Sequence, residues 1–418
     1  MKKLIIEGNK TLKGEIHVSG AKNSVVALIP ASILTSGKCI IKNVPNISDV
    51  QNLIEMMEYL GSEIKFENET IYIDNKNVRN ETIGENHSKK MRASYYFMGS
   101  LLGRFNEAKI SFPGGCVIGE RPIDYHISGF EKLGSKVFIE NGDTYAFNAE
   151  KLIGTDIILN KASVGATINI MLASVKAEGT TNIINAAMEP EIKNIADFLI
   201  SMGAKIKGAG TSKITIEGVK ELGDGQITVI PDRIEAGTFA IMAALLGDNL
   251  TIKGAKKEYI NALIKKLKEA GVKIKSSKDD LIISKCDSLK SINVRTDVYP
   301  AFPTDLGQPM STFLTQCEGT SIFEETIYEN RMRHIKYLNE MGANIKLKDR
   351  TATIKGKTKL VGKNVEATDL RAGAAMLVAG MIAEGTTKII NIEHILRGYE
   401  NIVEKLSKVG ASIKLVDE

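Results

Sequence analysis

The sequence predicts an α/β protein of two domains, each made of three repeats in which helices lie inside and sheets face solvent. Three observations carry this expectation. The chain has 418 residues, more than one hydrophobic core usually serves, so two domains of about 200 residues are the default. A helix, glycine, strand segment recurs six times at a spacing of 68 to 73 residues. A second set of six helical stretches carries almost no charge beyond its first turn, the mark of helices buried on all sides.

The first repeat element reads EYLGSEIKF, EKLGSKVFI, ISMGAKIKG, KEAGVKIKS, NEMGANIKL and SKVGASIKL, with Gly61, Gly134, Gly203, Gly271, Gly342 and Gly410 in register. Glycine just past the last periodic residue stops a helix, because it enters the left-handed region without a Cβ clash. The alternating residues after it read as a strand. Ahead of each glycine stands the second element: AKNSVVALIPASILTSG, MRASYYFMGSLLG, SVGATINIMLASVKAEG, PDRIEAGTFAIMAALLG, PTDLGQPMSTFLTQCEG and DLRAGAAMLVAGMIAEG. Strands such as KITIEG alternate, which leaves one face wet. These repeats exceed the usual solenoid unit of about 20 to 45 residues, so two closed halves are expected rather than an open array. Helices enclosed by solvent-facing sheets reverse the usual α/β layering.

Composition narrows the function. Hydrophobic residues at 43% and charged residues at 25% are globular proportions that argue against disorder. No apolar run reaches the roughly 18 residues that span a bilayer. The start MKKLIIEGNKTLKG runs into polar sequence without a cleavage site, so a cytoplasmic protein with no membrane partner is expected. Cys39, Cys116, Cys286 and Cys317 lie far apart without CxxC spacing and are expected as reduced thiols. The five histidines have no metal-ligand spacing, so no metal is expected. A net charge of +5 on scattered lysines, with 6% aromatics and no Trp, speaks against nucleic acid and suits small anionic ligands.

The polar residues of the apolar helices gather at their amino ends: Lys22, Asn23, Arg92, Ser163, Asp232, Arg233, Asp305, Asp369 and Arg371. Helix amino termini carry partial positive charge and unpaired N–H groups, so several aimed at one cleft make an anion site. Taken singly, Ser163, Asp232 and Asp305 read as caps, whereas Lys22, Arg92 and Arg371 do not. Arginine supplies only 11 of the 55 basic residues, so Arg121, Arg371 and Arg397, beside glycine or an apolar helix, suggest bidentate recognition of carboxylate or phosphate. The loop FPGGCVIGERPID packs three glycines, two prolines, Cys116 and Arg121 behind a strand. Alone, PGG is a turn and Cys116 a small hydrophobe. A guanidinium nearby lowers a thiol pKa and glycines let a loop close, which makes Cys116 a candidate acid or nucleophile. Two stretches read as structural. KGAGTSK, from Lys207 to Lys213, lacks GxxxxGK[ST] and joins two strand-like runs as a hairpin. Glu189 and Glu191 place carboxylates at a helix start, where the dipole favours them.

The Lys22-Asn23 pair, PGGCVIGERPID with Cys116 and Arg121, Lys161 in KASVGAT, Asp305 in PTDLGQP, Arg331 in ENRMRH, Asp369 and Arg371 in DLRAG, and Arg397 in LRGYE together resemble a known family along the whole chain. This is the UDP-N-acetylglucosamine enolpyruvyl transferases (1-carboxyvinyltransferases) of the EPSP synthase superfamily. The resemblance implies a two-domain inside-out α/β barrel of six βαβαββ-type repeats. Residues 22–229 would form one domain with the Cys116 loop, and residues 1–21 with 230–418 the other. It implies transfer of the enolpyruvyl group of phosphoenolpyruvate to the 3-hydroxyl of UDP-N-acetylglucosamine by addition and elimination, the first committed step of peptidoglycan synthesis. No metal or redox cofactor is implied, and an epoxide phosphonate is expected to attack Cys116. By the same resemblance Lys22, Arg121 and Arg397 hold the donor phosphate with Asn23 beside them, and Arg331 and Arg371 hold its carboxylate. UDP-N-acetylglucosamine is expected at Asn23, Arg92, Arg121, Pro122, Ile123, Asp124, Tyr125, Lys161, Ala162, Ser163, Val164, Asp305 and Ile327. Asp305 is expected to take or orient the hydroxyl proton and Cys116 to supply one, with Lys22 and Arg397 also in the catalytic set. Val117 and Glu120 stand at loop positions that vary in the family, and Glu120 puts a carboxylate beside Arg121. Two rivals are weighed: 3-phosphoshikimate 1-carboxyvinyltransferase, whose pattern lacks this cysteine loop, and a non-catalytic nucleotide-sugar binding protein. The sequence leaves the oligomeric state open.

Overall fold

The computed structural model describes residues 2–112 and 123–417. They fall into two compact units, one of residues 20–112 and 123–230, the other of residues 2–19 and 231–417. The architecture is mixed α/β with six small sheets, three in each unit.

In the first unit one sheet runs Gly225–Thr228, Lys38–Lys42, Thr70–Asp74, Glu63–Glu67. A second runs Lys205–Lys207, Lys213–Glu217, Thr180–Ile184, Asp156–Ile158. The third has three strands, Glu107–Ser111, Thr144–Asn148 and Lys136–Glu140. In the second unit the sheets run Asn364–Glu366, Thr386–Ile390, Lys2–Glu7, Ser412–Asp417; then Ile274–Ser277, Asp280–Ile283, Gly247–Lys253, Leu12–His17; then Val294–Arg295, Gly319–Glu324, Thr351–Gly356, Asn344–Lys348. Where a helix joins two neighbouring strands the pair is parallel, as for Asp156–Ile158 and Thr180–Ile184 across the Val164–Ser174 helix. The strands alternate as their sequences do. TTKII, Thr386–Ile390, buries only Thr387 and Ile389 and leaves the other face to solvent.

All six apolar stretches are helices: Lys22–Ala31, Tyr96–Phe105, Val164–Ser174, Arg233–Leu246, Gly307–Leu314 and Leu370–Ile382. They are buried almost throughout, and every residue from Arg371 to Met381 is buried. Small residues permit this: a Cβ on Gly99 would stand 2.5 Å from the Asn169 carbonyl oxygen of the neighbouring helix. The charged set is also helical: Ser48–Tyr59, Asp124–Lys132, Pro190–Ser201, Asn261–Glu269, His334–Glu340 and Ile402–Lys408. These helices end identically. Gly61, Gly134, Gly203, Gly271, Gly342 and Gly410 take φ between 99° and 109°. The residue after each glycine donates its N–H to the carbonyl five residues back, from Ser62 to Met57, Ser135 to Phe130, Ala204 to Leu199, Val272 to Leu267, Ala343 to Leu338 and Ala411 to Leu406, at 2.9–3.0 Å. This six-to-one bond closes the exposed carbonyls of the last turn and aims the chain into the next strand. KGAGTSK is the hairpin its pattern suggests, joining antiparallel Lys205–Lys207 and Lys213–Glu217.

Candidate active site

In the unit of residues 2–19 and 231–417, three expected residues meet. Asp305 lies in the single turn Thr304–Leu306 that leads into the Gly307–Leu314 helix. Its reading as a cap is wrong, for its side chain caps nothing. The carboxylate bridges two arginines instead: Oδ1 accepts from Arg331 at 2.6 Å and Oδ2 from Arg371 at 2.8 Å. The physical reason is burial of the guanidinium groups, whose side chains are 4% and 6% exposed. Cations out of water need an anion in contact, and that outweighs one bond to a helix end. The genuine caps are Asp369, which accepts from Arg371 N and Ala372 N and so aims Arg371, and likewise Asp232 and Ser163.

Burial pushes the Asp305 carboxyl up, but Arg371 and Arg331 outweigh it and hold the group well below the usual carboxylate range. Burial alone would pull Arg371 down, and Asp305 holds it above its ordinary value. Arg331 also donates to the Thr304 hydroxyl at 3.2 Å, while its buried Nε has no acceptor. The arginine fork therefore keeps donor capacity for a further anion.

Glu325 belongs to this cluster and was not singled out from sequence. Fully buried, it accepts from Ile327 N at 2.8 Å, Tyr328 N at 3.2 Å and the Thr304 hydroxyl at 2.7 Å. It thereby shapes the backbone that carries Ile327, itself half-buried. Its only sequence signal is a second Glu after the strand GTSIFE, which by itself reads as a solvated charge. Arg397, half-buried, ends the short Glu393–Leu396 turn.

In the unit of residues 20–112 and 123–230, Lys22 opens the Lys22–Ala31 helix and its ammonium lies 2.8 Å from Asp49, whose side chain is 3% exposed. Asp49 was also missed, because an acid in the first turn of an amphipathic helix reads as a dipole partner. Asn23 is half-buried beside Lys22. Arg92 opens the Arg92–Tyr95 turn ahead of the Tyr96–Phe105 helix. Ile123 precedes, and Asp124 and Tyr125 begin, the Asp124–Lys132 helix. Lys161 is exposed, Ala162 half-buried, and Ser163 caps the Val164–Ser174 helix by accepting from Ala166 N at 3.3 Å. His126 lies close enough to Arg92 to feel its charge and packs where a Gly165 side chain would be. Arg92, Tyr125 and Ser163–Val164 are thus gathered in one neighbourhood.

Cys116, Arg121 and Pro122 lie outside the described residues. Cys39, Cys286 and Cys317 are free thiols, and burial pushes Cys39 and Cys317 up to about 12, which makes both poor nucleophiles.

Residues 6–406 match the family model described as EPSP synthase (3-phosphoshikimate 1-carboxyvinyltransferase). UDP-N-acetylglucosamine 1-carboxyvinyltransferase 2 of Listeria monocytogenes is 49% identical over 411 residues, 98% of this chain and 97% of the relative. The protein of the same name from Bacillus subtilis is 50% identical over 422 residues, covering 100% and 98%. The UDP-N-acetylglucosamine 1-carboxyvinyltransferase of Clostridium botulinum is 49% identical over 415 residues, covering 99% of each. Among solved structures, the enolpyruvyl transferase NikO from Streptomyces tendae has a TM-score of 0.91 at 23% identity, covering 99% of both chains. An EPSP synthase from Acinetobacter baumannii has a TM-score of 0.75 at 18% identity, covering 100% of both. These two likenesses speak for the fold.

Proposed function

The chain belongs to the EPSP synthase family, among its UDP-N-acetylglucosamine 1-carboxyvinyltransferases, and on that premise we propose how its residues move the enolpyruvyl group of phosphoenolpyruvate to UDP-N-acetylglucosamine in making peptidoglycan precursors. The sugar 3-hydroxyl oxygen attacks the central carbon of phosphoenolpyruvate while the methylene carbon gains a proton and the hydroxyl loses one. The resulting tetrahedral ketal then releases phosphate and a methyl proton, which restores the double bond on the sugar.

The observation that carries the residue roles is the Arg331, Asp305, Arg371 cluster, because Asp305 holds the two forks as a ligand carboxylate would. The donor carboxylate takes Arg331 and Arg371 away from Asp305. Released from two cations, Asp305 becomes more basic and accepts the hydroxyl proton once the donor is bound. Lys22, Arg121 and Arg397, with Asn23, hold the phosphate and stabilise its departure. Cys116 gives the proton to the methylene carbon. For the sugar nucleotide, Arg92, the stretch from Arg121 to Tyr125 and that from Lys161 to Val164 are the contacts, with Asp305 and Ile327. The amino end of the Val164–Ser174 helix offers N–H groups to a diphosphate.

The finer architecture goes with this reading: inside-out α/β barrels in domains of residues 22–229 and of 1–21 with 230–418, supported by the burial of the six apolar helices. A cytoplasmic location without membrane or nucleic-acid partners belongs to it too. No helix among the described residues is long and apolar enough to cross a membrane. Phosphate release decides between this reading and its rivals. Release from phosphoenolpyruvate is expected only with UDP-N-acetylglucosamine present; equal release with shikimate 3-phosphate, or none with either acceptor, overturns it.

A further inference from the structure

Asn169, on the Val164–Ser174 helix, is fully buried where three other segments meet it. Its Oδ1 accepts the Gly99 N–H at 2.9 Å. Its Nδ2 reaches the Tyr95 carbonyl at 3.1 Å and His126 Nδ1 at 2.8 Å. The backbone groups leave the amide no choice: Gly99 N–H can only donate and the Tyr95 carbonyl can only accept, so oxygen faces the first and nitrogen the second. The nitrogen has only hydrogens to offer. His126 Nδ1 must therefore accept, and the ring proton sits on Nε2.

The Nε2 edge lies against the start of the same helix. A Cβ on Gly165 would stand 3.1 Å from His126 Nε2 and 2.9 Å from the Tyr95 hydroxyl, so glycine is what lets both approach. The Tyr95 ring meets the imidazole edge-on, with centroids 5.1 Å apart. Among the described residues, the charged or titratable groups shown to act on or touch His126 are Arg92, by its charge, and Tyr95, by its ring, both in the Arg92–Tyr95 turn. The Val164–Ser174 helix has no ionisable residue. Burial, then the charge of Arg92, pulls His126 down to about 3, so the ring stays neutral at working pH.

We propose that Asn169 is a positioning residue for the sugar nucleotide: by holding His126 as the Nε2–H tautomer it keeps Arg92, Tyr125 and the Ser163–Gly165 helix start in register. The inference rests on the assignment of Arg92, Tyr125 and Ser163–Val164 to UDP-N-acetylglucosamine. A cationic imidazole would set a second charge against Arg92 and displace it.

Asn169→Asp tests this, since it keeps the acceptor for Gly99 but sets a carboxylate against Nδ1, which draws a second proton onto the ring as pH falls. KM and kcat for both substrates are measured by phosphate release from about pH 5.5 to 8.5, the range in which histidine titrates. The native KM for UDP-N-acetylglucosamine is expected to be flat. In the variant it rises at least ~5-fold toward acid, with kcat within ~3-fold and the phosphoenolpyruvate KM unchanged. A variant UDP-N-acetylglucosamine KM equal to native over the whole range, or equal pH-independent rises in both KM values, overturns the proposal. Arg92→Ala separates it from the assignment beneath it. If that variant leaves the UDP-N-acetylglucosamine KM unchanged, the assignment falls and the proposal with it. If that KM rises while Asn169→Asp keeps the native KM, only the present proposal falls. Should Asn169→Asp not fold, the native protein answers through its histidine nitrogen shifts, with the His126 signals identified by their loss in His126→Gln. A neutral ring protonated at Nε2 over that range is expected, and protonation at Nδ1 or a titration near neutrality overturns the proposal.

Discussion

Asp305→Asn removes one negative charge from between two buried guanidinium groups and should change stability, binding and turnover in different directions. The carboxylate makes charge-assisted hydrogen bonds of 2.6 and 2.8 Å to side chains only 4% and 6% exposed. Breaking a buried pair from one side costs about 3–5 kcal/mol, because the partner charge stays behind. At ~2–4 °C per kcal/mol for a unit of this size, the unit's melting temperature falls by ~6–20 °C. Phosphoenolpyruvate should restore part of the loss by supplying a carboxylate to the arginines, ~2.7 kcal/mol at a hundred times its Kd. With the proton acceptor gone, kcat falls by ~10²–10⁴, while the phosphoenolpyruvate KM does not rise, since the arginines no longer have to leave Asp305. The pH dependence follows from a folded pKa below the unfolded one. The stabilisation is present above the unfolded value near ~3.9 and lost as pH falls through the lower folded value. The difference in melting temperature between native and variant is therefore constant from neutral pH to about 4 and narrows below it. Scanning calorimetry with and without phosphoenolpyruvate, together with phosphate-release kinetics, reads all of this. Turnover within threefold of native, or a donor KM rising in step with the loss of kcat, would refute the reasoning.

Lys22→Met removes the ammonium 2.8 Å from the Asp49 carboxylate, whose side chain is 3% exposed, and should lower stability in denaturant unfolding as well as turnover. Adding Asp49→Asn restores the stability without the activity, and recovery of both would show that Lys22 does not act on substrate. Cys116→Ala should lose at least ~10²-fold in turnover and all alkylation by an epoxide phosphonate. Mass spectrometry finding the adduct on Cys39, Cys286 or Cys317 contradicts this. Gly203→Ala has no atom within 4 Å of its new Cβ, so only the left-handed backbone is penalised, by about 1–2 kcal/mol. Gly61→Ala adds a clash with the Asn77 carbonyl oxygen at 2.5 Å and should lose more. Equal losses would mean that the second site relaxes freely.

The repeat was legible because each of its signals is local. A glycine that must take φ near 100° and a helix without charge state their conformation and burial within a few residues, whatever the rest of the chain does. The same holds for the KGAGTSK hairpin and for the caps Ser163 and Asp232. Local reasoning failed where a partner is remote. Asp305 looks like a cap by its position, but its partners lie 26 and 66 residues further along the chain. Glu325, Asp49 and Asn169 carry no local sign of function at all.

The sequence by itself thus determined the α/β character, the six-part organisation and the family, because these rest on backbone preference, burial periodicity and a residue set that no local rule produces by chance. Only the tertiary structure decided what each charged side chain faces. Opposite charges taken out of water must meet, and which of the scarce arginines meets Asp305 depends on how the Gly307–Leu314 and Leu370–Ile382 helices pack.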